Sequence, residues 1–174
     1  TKSIFLVTNG QEPDMIQKLQ DEDALPTQLY LSTNAADYES FMKINKPKYD
    51  DSWERWNKTL DMLKDLNTRT VLRITLIRDY NDQKESIPAF AEMFRKASPH
   101  FIEIKSYMHI GRSTNRLEHE NMLEMEEVKK FSEEIAKQSK IFSIMDESIV
   151  SRISILQNNE RFIDRYISTY ANTI

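Results

Sequence analysis

A lysine and a glutamate that share one face of a predicted strand are the residues of this chain best suited to covalent chemistry. In the segment 101–108 (FIEIKSYM), alternation places two isoleucines on one face and Glu103, Lys105 and Tyr107 on the other. A lysine in a partly desolvated cavity can form a Schiff base with a carbonyl substrate. The alternative is a structural ion pair between Lys105 and Glu103 or another carboxylate, and the sequence favours neither.

Two further predicted strands carry polar side chains on one face. Segment 71–77 places Arg73 and Thr75 opposite its apolar residues. Segment 28–34 opposes two leucines with four polar residues: Gln28, Tyr30, Ser32 and Asn34. Strands of a parallel sheet that is covered on both sides are usually apolar throughout, and a buried charge is costly unless it is paired or hydrated. We therefore expect these polar faces to converge on a cavity.

The loops that follow the predicted strands hold the remaining candidate ligands, because parallel α/β sheets bind ligands at the carboxyl ends of their strands. Thr8 and Asn9 follow the first strand. The loop 111–116 contains Arg112, Asn115 and Arg116, and it could clamp a phosphate or carboxylate or could simply be solvated.

A cluster of three lysines around Pro47 is a second basic feature of the chain. Lys43, Lys46 and Lys48 could contact RNA phosphate, although surface lysines more often serve solubility, which is the favoured interpretation here. His109 has no partner at metal-ligand spacing, so we interpret it as an ordinary hydrogen-bonded side chain.

These residues are positioned by alternating strands and helices. Strand patterns begin near residues 3, 28, 70 and 101, and amphipathic helices are predicted after Ser52, around 87–94 and at 121–139. The order predicts one domain over residues 1–174, with a curved, mainly parallel sheet and helices on its outer face. So few βα units form only part of a barrel. We expect the uncovered edges to be completed by a missing N-terminal segment, a second copy or a partner.

Composition excludes several classes of protein. The chain has 174 residues, of which 39% are hydrophobic and 30% charged, with a net charge of −4 and no cysteine. It therefore supplies no disulfide or iron–sulfur ligand, and we expect no metal ligand within it. No apolar run is long enough to span a bilayer, so we expect a cytoplasmic protein without a membrane contact. Any RNA contact must come from local basic clusters.

Short stretches along nearly the whole chain resemble, in order, the 4-demethylwyosine synthase family of radical S-adenosylmethionine enzymes. The stretches are 5–10 (FLVTNG), 26–32 (PTQLYLS), 53–54 (WE), 73–78 (RITLIR), 80–81 (YN), 101–108 (FIEIKSYM), Gly111, 115–117 (NRL), 121–122 (NM), 146–148 (DES) and Arg152. A match that keeps its order over this length is more specific than any single motif.

The resemblance implies a fold and a reaction. The fold would be a partial (β/α) barrel of the radical SAM type. The enzyme would be a carbon–carbon lyase of wybutosine biosynthesis that condenses pyruvate carbons with N1-methylguanosine in tRNA(Phe). Its cofactors would be S-adenosylmethionine, which a [4Fe-4S] cluster cleaves to a deoxyadenosyl radical, and the cluster itself.

The resemblance also implies roles for individual residues. Lys105 would be catalytic. Six residues would hold S-adenosylmethionine: Thr8, Asn9, Ser32, Asn34, Arg73 and Met108. Five would bind substrate: Glu103, Tyr107, Arg112, Asn115 and Arg116.

The chain departs from the family pattern in one decisive respect, because it lacks the CxxxCxxC cluster motif, which lies upstream of the matched stretch in the family. Asn34 also stands where the family usually has aspartate. We therefore expect a C-terminal portion that is inactive alone. Two alternatives stay open: a non-catalytic RNA- or protein-binding half barrel, and an iron-independent lyase that uses a lysine Schiff base.

Overall fold

A computed structural model describes residues 3–167 and contains one six-stranded sheet. Its strands are β1 (Phe5–Thr8), β2 (Gln28–Ser32), β3 (Arg69–Leu76), β4 (Phe101–Ser106), β5 (Phe142–Ser148) and β6 (Ile153–Asn158). The helices are α1 (Pro13–Asp21), α2 (Tyr38–Asn45), α3 (Ser52–Met62), α4 (Ile87–Ala97) and α5 (Met125–Ser139). Short 3-10 helices cover Lys84–Ser86, Gly111–Asn115 and His119–Asn121. No helix within residues 3–167 is both long and apolar enough to cross a membrane.

The strands lie in the order β1-β2-β3-β4-β6-β5. The first four are parallel, while β6 pairs antiparallel with β4 and β5 pairs antiparallel with β6. The prediction of a mainly parallel α/β sheet is confirmed. The sheet is not a closed barrel, since β1 and β5 form its two edges.

One face of the sheet carries the helices and the hydrophobic core. Leu31, Leu72, Ile74 and Ile104 are fully buried there, and they belong to the same cluster as residues of all five helices, among them Ile16, Phe41, Trp56, Phe94 and Ile135. Each strand turns its alternate side chains to the opposite face, which no helix covers within the described residues. The predicted arrangement, with helices on one face and polar residues on the other, is confirmed.

Helix α1 lies between β1 and β2, where the predicted alternation of strands and helices requires one. Helix α2 is an addition to the predicted order, and α5 begins at Met125 rather than at Asn121. The start of α5 follows from a capping box, in which the side chains of Glu124 and Glu127 each accept from the other residue's backbone N–H. Helix α2 begins after Asp37, whose carboxylate accepts a hydrogen bond from the Ser40 N–H at 2.9 Å.

The segment after β6 covers the amino-terminal end of the polar face. The guanidinium of Arg69, at the start of β3, donates to the carbonyl oxygens of Arg165 at 2.8 Å and of Asp164. Gln157 donates to the carbonyl of Ile163 at 2.9 Å. These contacts close the end of the sheet opposite the edge where parallel α/β folds bind ligands.

Candidate active site at the carboxyl edge of the sheet

Three side chains form a ladder across the polar face of the sheet: Ser32 of β2, Arg73 of β3 and Glu103 of β4. Arg73 pairs in register with both Ser32 and Glu103. Its Nε lies 2.8 Å from Oε1 of Glu103, although that N–H is not aligned for a hydrogen bond, and Nη2 donates to Oε2 at 3.4 Å. The guanidinium carbon also lies 4.5 Å from the centre of the Tyr30 ring. Arg73 is thus held between a π-face and a carboxylate.

Burial explains how this ladder is stabilised. Glu103 is only 9% exposed, so its carboxylate depends on the neighbouring guanidinium to compensate for lost hydration. Burial raises the pKa of Tyr30, and the negative charge of Glu103 raises it further. The tyrosine therefore stays a neutral hydroxyl, which accepts a hydrogen bond from Gln28 at 2.5 Å.

Lys105 lies one step nearer the carboxyl edge, on the same face as Glu103. In register it is flanked by Thr75 of β3 and Ile153 of β6, and it is half-buried. It is the single lysine in the six described strands. Because Glu103 pairs with Arg73, and no ion pair involves Lys105 among residues 3–167, its ammonium group is not committed to a structural partner.

A cavity of about 330 Å³ opens at the carboxyl ends of β1 and β2. Its lining includes four residues that follow or end these strands: Asn9, Gln11, Ser32 and Asn34. Helix α2 and the loop after it supply Phe41, Asn45, Lys48 and Tyr49. The volume lies within the range of about 300 to 1,000 Å³ that is typical of small-molecule sites.

Gln11 is the polar group of this cavity that is left incomplete. The residue is 9% exposed, and its Nε2 donates to the carbonyl of Ser52 at 3.0 Å. Its Oε1 is buried and has no hydrogen-bond partner in the described part of the chain. A buried acceptor without a donor is costly, so a ligand that carries an N–H or O–H would stabilise the site.

The turn after β1 depends on a glycine. Gly10 has φ of 75°, and a Cβ at this position would lie 2.7 Å from Cδ1 of Leu31. Thr8 accepts from the Gly10 N–H at 3.0 Å, and Asn9 accepts from the Gln11 N–H at 3.3 Å. The loop is thereby fixed close to β2, which turns Asn9 and Gln11 toward the cavity.

Asn34 joins the ends of β2 and β3. Its Oδ1 accepts from the Thr75 N–H at 3.1 Å, and its Nδ2 donates to Oδ1 of Asn45 at 3.2 Å. Asn81 completes the junction, since its Nδ2 donates to the carbonyls of Asn34 and Thr75, each at 2.9 Å. The carboxyl ends of these strands are therefore held together by amide groups as well as by the sheet.

The remaining candidate residues lie farther along the same edge. Met108 is 37% exposed, and Arg112, Asn115 and Arg116 are exposed in and just after the 3-10 helix Gly111–Asn115. Tyr107 is buried beside Ile77 and Leu117, and its hydroxyl lies 3.2 Å from both His109 Nδ1 and Ser113 Oγ. The structure thus brings Arg73, Glu103 and Lys105 together and places Tyr107 in a separate packed cluster.

Gln11, Asn45 and Tyr49 are cavity residues that sequence reasoning missed. Asn45 and Tyr49 belong to a region interpreted only as a basic patch, because helix α2 was not predicted there. The cap residue Asp37 with Phe41 and Ile44 at helical spacing is the signal that could have revealed it. Gln11 carries no recognisable sequence signal.

No group of three His, Asp or Glu side chains within residues 3–167 could hold a metal ion. The chain also has no cysteine. An iron–sulfur cluster would therefore have to be ligated by residues outside this chain.

Residues 96–158 match a family described as "Wyosine base formation". The S-adenosyl-L-methionine-dependent tRNA 4-demethylwyosine synthase of Methanocaldococcus jannaschii is 42% identical over 162 residues, which cover 92% of this chain and 48% of that protein. The enzyme of the same name from Pyrococcus abyssi is 38% identical over 156 residues, covering 90% and 45%. A solved structure of TYW1 with a lysine-pyruvate adduct bound superposes with a TM-score of 0.79 at 41% identity, covering 91% of this chain and 48% of that one.

Over about nine-tenths of its length, the chain is similar in sequence and in fold to tRNA 4-demethylwyosine synthases. It spans about half the length of the archaeal relatives it matches. The Escherichia coli coproporphyrinogen III oxidase HemN, described as a radical SAM enzyme, shares the fold with a TM-score of 0.56 at 12% identity, covering 90% of this chain and 35% of that one. The family resemblance and the partial radical SAM barrel expected from the sequence are both confirmed.

Proposed function

We propose that this chain is the substrate-binding part of a tRNA 4-demethylwyosine synthase, in which Lys105 binds pyruvate. The intact enzyme would condense pyruvate carbons with N1-methylguanosine of tRNA(Phe), as a carbon–carbon lyase of wybutosine biosynthesis in the cytoplasm. The supporting observation is the position of Lys105, which is the single lysine of the described strands and lies on the polar face near the carboxyl edge. A relative with 41% identity has been solved with a lysine-pyruvate adduct.

The covalent step needs only the lysine and the keto acid. The neutral amine of Lys105 attacks the C2 carbonyl carbon of pyruvate, the carbonyl oxygen leaves as water, and a carbon–nitrogen double bond forms. Thr75 lies beside Lys105 in register, so its hydroxyl can hydrogen-bond the carbonyl oxygen as it develops charge. If no imine forms, the charged ammonium of Lys105 would still pair with the pyruvate carboxylate.

The cavity between β1, β2 and α2 fits S-adenosylmethionine in size and in chemistry. Asn9, Ser32 and Asn34 line it, and the unpaired Oε1 of Gln11 is an acceptor suited to an amino or hydroxyl group of that ligand. Thr8 at the end of β1, Arg73 within β3 and Met108 just after β4 would complete the cofactor site. When bound beside a [4Fe-4S] cluster, this cofactor would supply the radical chemistry of the reaction.

The residues of this chain would then orient the substrates. Glu103 fixes the guanidinium of Arg73, which leaves the ammonium of Lys105 free for pyruvate. Arg112 and Asn115 are exposed near the carboxyl edge and would contact tRNA, whereas Tyr107 would support that surface from beneath. The cluster ligands would come from the part of the protein that precedes the matched region.

Borohydride trapping on the intact protein tests this proposal. Labelled pyruvate and borohydride should attach label to Lys105, as mapped by peptide mass spectrometry. The variant Lys105→Arg keeps the charge but cannot form an imine, so it should lose both the label and product formation. Lys64→Arg is a matched control at an exposed position just after α3 and should retain the label.

Each outcome distinguishes the candidates. Label on another lysine removes Lys105 from the covalent role, and no label in an active enzyme leaves it only an electrostatic one. Label without any radical-dependent product would favour an iron-independent lyase. If the intact protein neither takes label nor modifies tRNA, a non-catalytic half barrel is favoured and the proposal is overturned.

A further inference from the structure

A groove of about 70 Å³ beside the candidate site is lined by three cationic side chains. Lys43 and Lys46 come from the end of α2 and the residue after it, and Arg116 follows the 3-10 helix Gly111–Asn115. These positions are about seventy residues apart in the chain, so the fold itself creates the cluster. None of the residues that line the groove is acidic.

The floor of the groove is packed and largely apolar. Ile77 and Leu117 line it and are buried with Tyr107 in one small hydrophobic cluster. The hydroxyl of Tyr107 donates to Ser113 Oγ at 3.2 Å, which ties the loop that precedes Arg116 to the end of β4. Lys43 Nζ lies 4.9 Å from the centre of the Tyr80 ring, so its charge rests on a π-face at the rim.

The three cations have no carboxylate partner among the described residues, whereas several other basic residues do. Lys58, Lys96 and Lys129 each form an ion pair with an acidic side chain. Within residues 3–167, no ion pair involves Lys43, Lys46 or Arg116. Since the chain has a net charge of −4, a local cluster of three unneutralised cations is opposite in sign to the molecule as a whole. Like charges that converge on one groove repel one another, and a bound anion relieves this repulsion.

The size and the position of the groove indicate which anion it would bind. The volume of about 70 Å³ lies well below the roughly 300 to 1,000 Å³ typical of small-molecule sites, so the groove suits a single phosphate group better than a whole nucleoside. The groove also adjoins the larger cavity, because Asn45 lines the cavity while Ile44 and Lys46 line the groove. A phosphate held here would belong to a chain that passes the mouth of the candidate site.

We propose that Lys43, Lys46 and Arg116 bind one backbone phosphate of the RNA substrate next to the modified nucleotide. This assignment rests on the proposed function, because the RNA in question is the tRNA that the intact enzyme modifies. The contact is independent of base identity, so it positions the RNA and does not select its sequence.

The salt dependence of RNA binding tests the assignment. The intact protein is titrated with an unmodified tRNA transcript between about 50 and 300 mM salt, and the slope of log K against log[salt] is compared with that of the variant Lys43→Gln, Lys46→Gln, Arg116→Gln. One lost phosphate contact should reduce the magnitude of the slope by about 0.7 to 0.9 and weaken binding about tenfold near 0.15 M salt.

Two matched variants separate charge at this groove from charge in general. One triple variant removes three exposed lysines outside the groove and should keep the wild-type slope: Lys64→Gln, Lys84→Gln, Lys137→Gln. A second triple variant, Lys43→Arg, Lys46→Arg, Arg116→Lys, preserves the three positive charges and should also keep the wild-type slope. All variants should show unchanged thermal melting. If the groove variant retains the wild-type slope and affinity, this assignment is overturned and the proposed function is not affected. If the wild-type protein binds no tRNA, the proposed function fails with it.

Discussion

Arg73 and Glu103 occupy paired positions on neighbouring strands, and Nε of Arg73 lies 2.8 Å from Oε1 of Glu103. Their side chains are 31% and 12% exposed, so the pair is largely removed from water. This pairing leaves Lys105 without a structural partner, because Arg73 already neutralises the carboxylate that could otherwise have paired with the lysine. A structural role for Arg73 and Glu103 and a chemical role for Lys105 are therefore compatible.

The variant Glu103→Gln should destabilise the fold by about 1 to 3 kcal/mol, since it leaves the half-buried Arg73 guanidinium without its counter-charge. Urea unfolding followed by tryptophan fluorescence measures the change. Glu92→Gln is the control, because Glu92 pairs with Arg95 on an exposed helix surface with 64% and 54% exposure, and it should cost less than about 0.5 kcal/mol. Equal effects of the two variants would contradict a special role of the buried pair.

Two glycines with similar backbone angles should respond differently to alanine. Gly10→Ala introduces a Cβ 2.7 Å from Leu31 at φ of 75°, and we expect a loss of about 2 to 4 kcal/mol. Gly111→Ala adds a Cβ that meets nothing within 4 Å at φ of 65°, so only the backbone strain of about 1 kcal/mol remains. Thermal melting of both variants checks this order. If the Gly111 variant is the less stable of the two, steric contact of the added Cβ does not determine the order.

The polar face of the sheet could be predicted from alternation alone, because β2, β3 and β4 each place polar and apolar residues on opposite sides. The pairing of Arg73 with Glu103 could not, since it depends on the register between two strands. The hairpin of β5 and β6 has no Asn-Gly or Asp-Gly turn, and its connection uses Arg152 at φ of 50°. Helix α1 has few apolar residues, and of its side chains only Pro13 and Ile16 are buried.

The groove beside the candidate site is another feature that could not be predicted from the sequence alone. The sequence shows Lys43 and Lys46 in one cluster and Arg116 in another, and each cluster alone is ordinary for a solvated surface. Their convergence requires Ile77, Tyr107 and Leu117 to pack as one cluster, which no local pattern reveals.

His100 should make stability depend on pH in a defined window. Burial lowers the pKa of His100 to about 4, with Arg161 and Arg69 adding to the shift, and its Nδ1 accepts a hydrogen bond from the Thr70 N–H at 3.1 Å. The unfolded chain takes up this proton near pH 6.5, whereas the folded protein resists it until about pH 4. The contribution of His100 is therefore complete above about pH 6.5, falls as the pH decreases through this window, and is lost below about pH 4.

The variant His100→Gln should remove this part of the pH dependence, which we expect to amount to about 1 to 2 kcal/mol between pH 7 and pH 4. Urea unfolding of both proteins at half-unit pH intervals gives the difference curve and cancels the titration of the carboxylates. His119→Gln, at an exposed position, should follow the wild-type curve. A His100 variant that is parallel to wild type across the window would refute the assignment.

The edge strand β1 should make the isolated chain associate with itself. Phe5 and Val7 are 54% and 51% exposed on the polar face, and the outer side of β1 has no strand partner among the described residues. An unpaired edge with apolar side chains is a template for further strand pairing, and a lysine on such an edge opposes it. Val7→Lys should therefore raise the dissociation constant of the isolated chain at least about tenfold, because two lysines would meet across the paired edges.

Sedimentation velocity between about 5 and 200 µM measures this association for residues 1–174. Val150→Lys is the matched control, since Val150 is 94% exposed in the turn between β5 and β6 and lies outside the strands. It removes an equal apolar side chain and adds an equal charge, so the association should persist. A wild-type chain that stays monomeric at the highest concentration would show that the β1 edge does not pair with a second copy. Equal weakening by both variants would instead attribute the association to general charge.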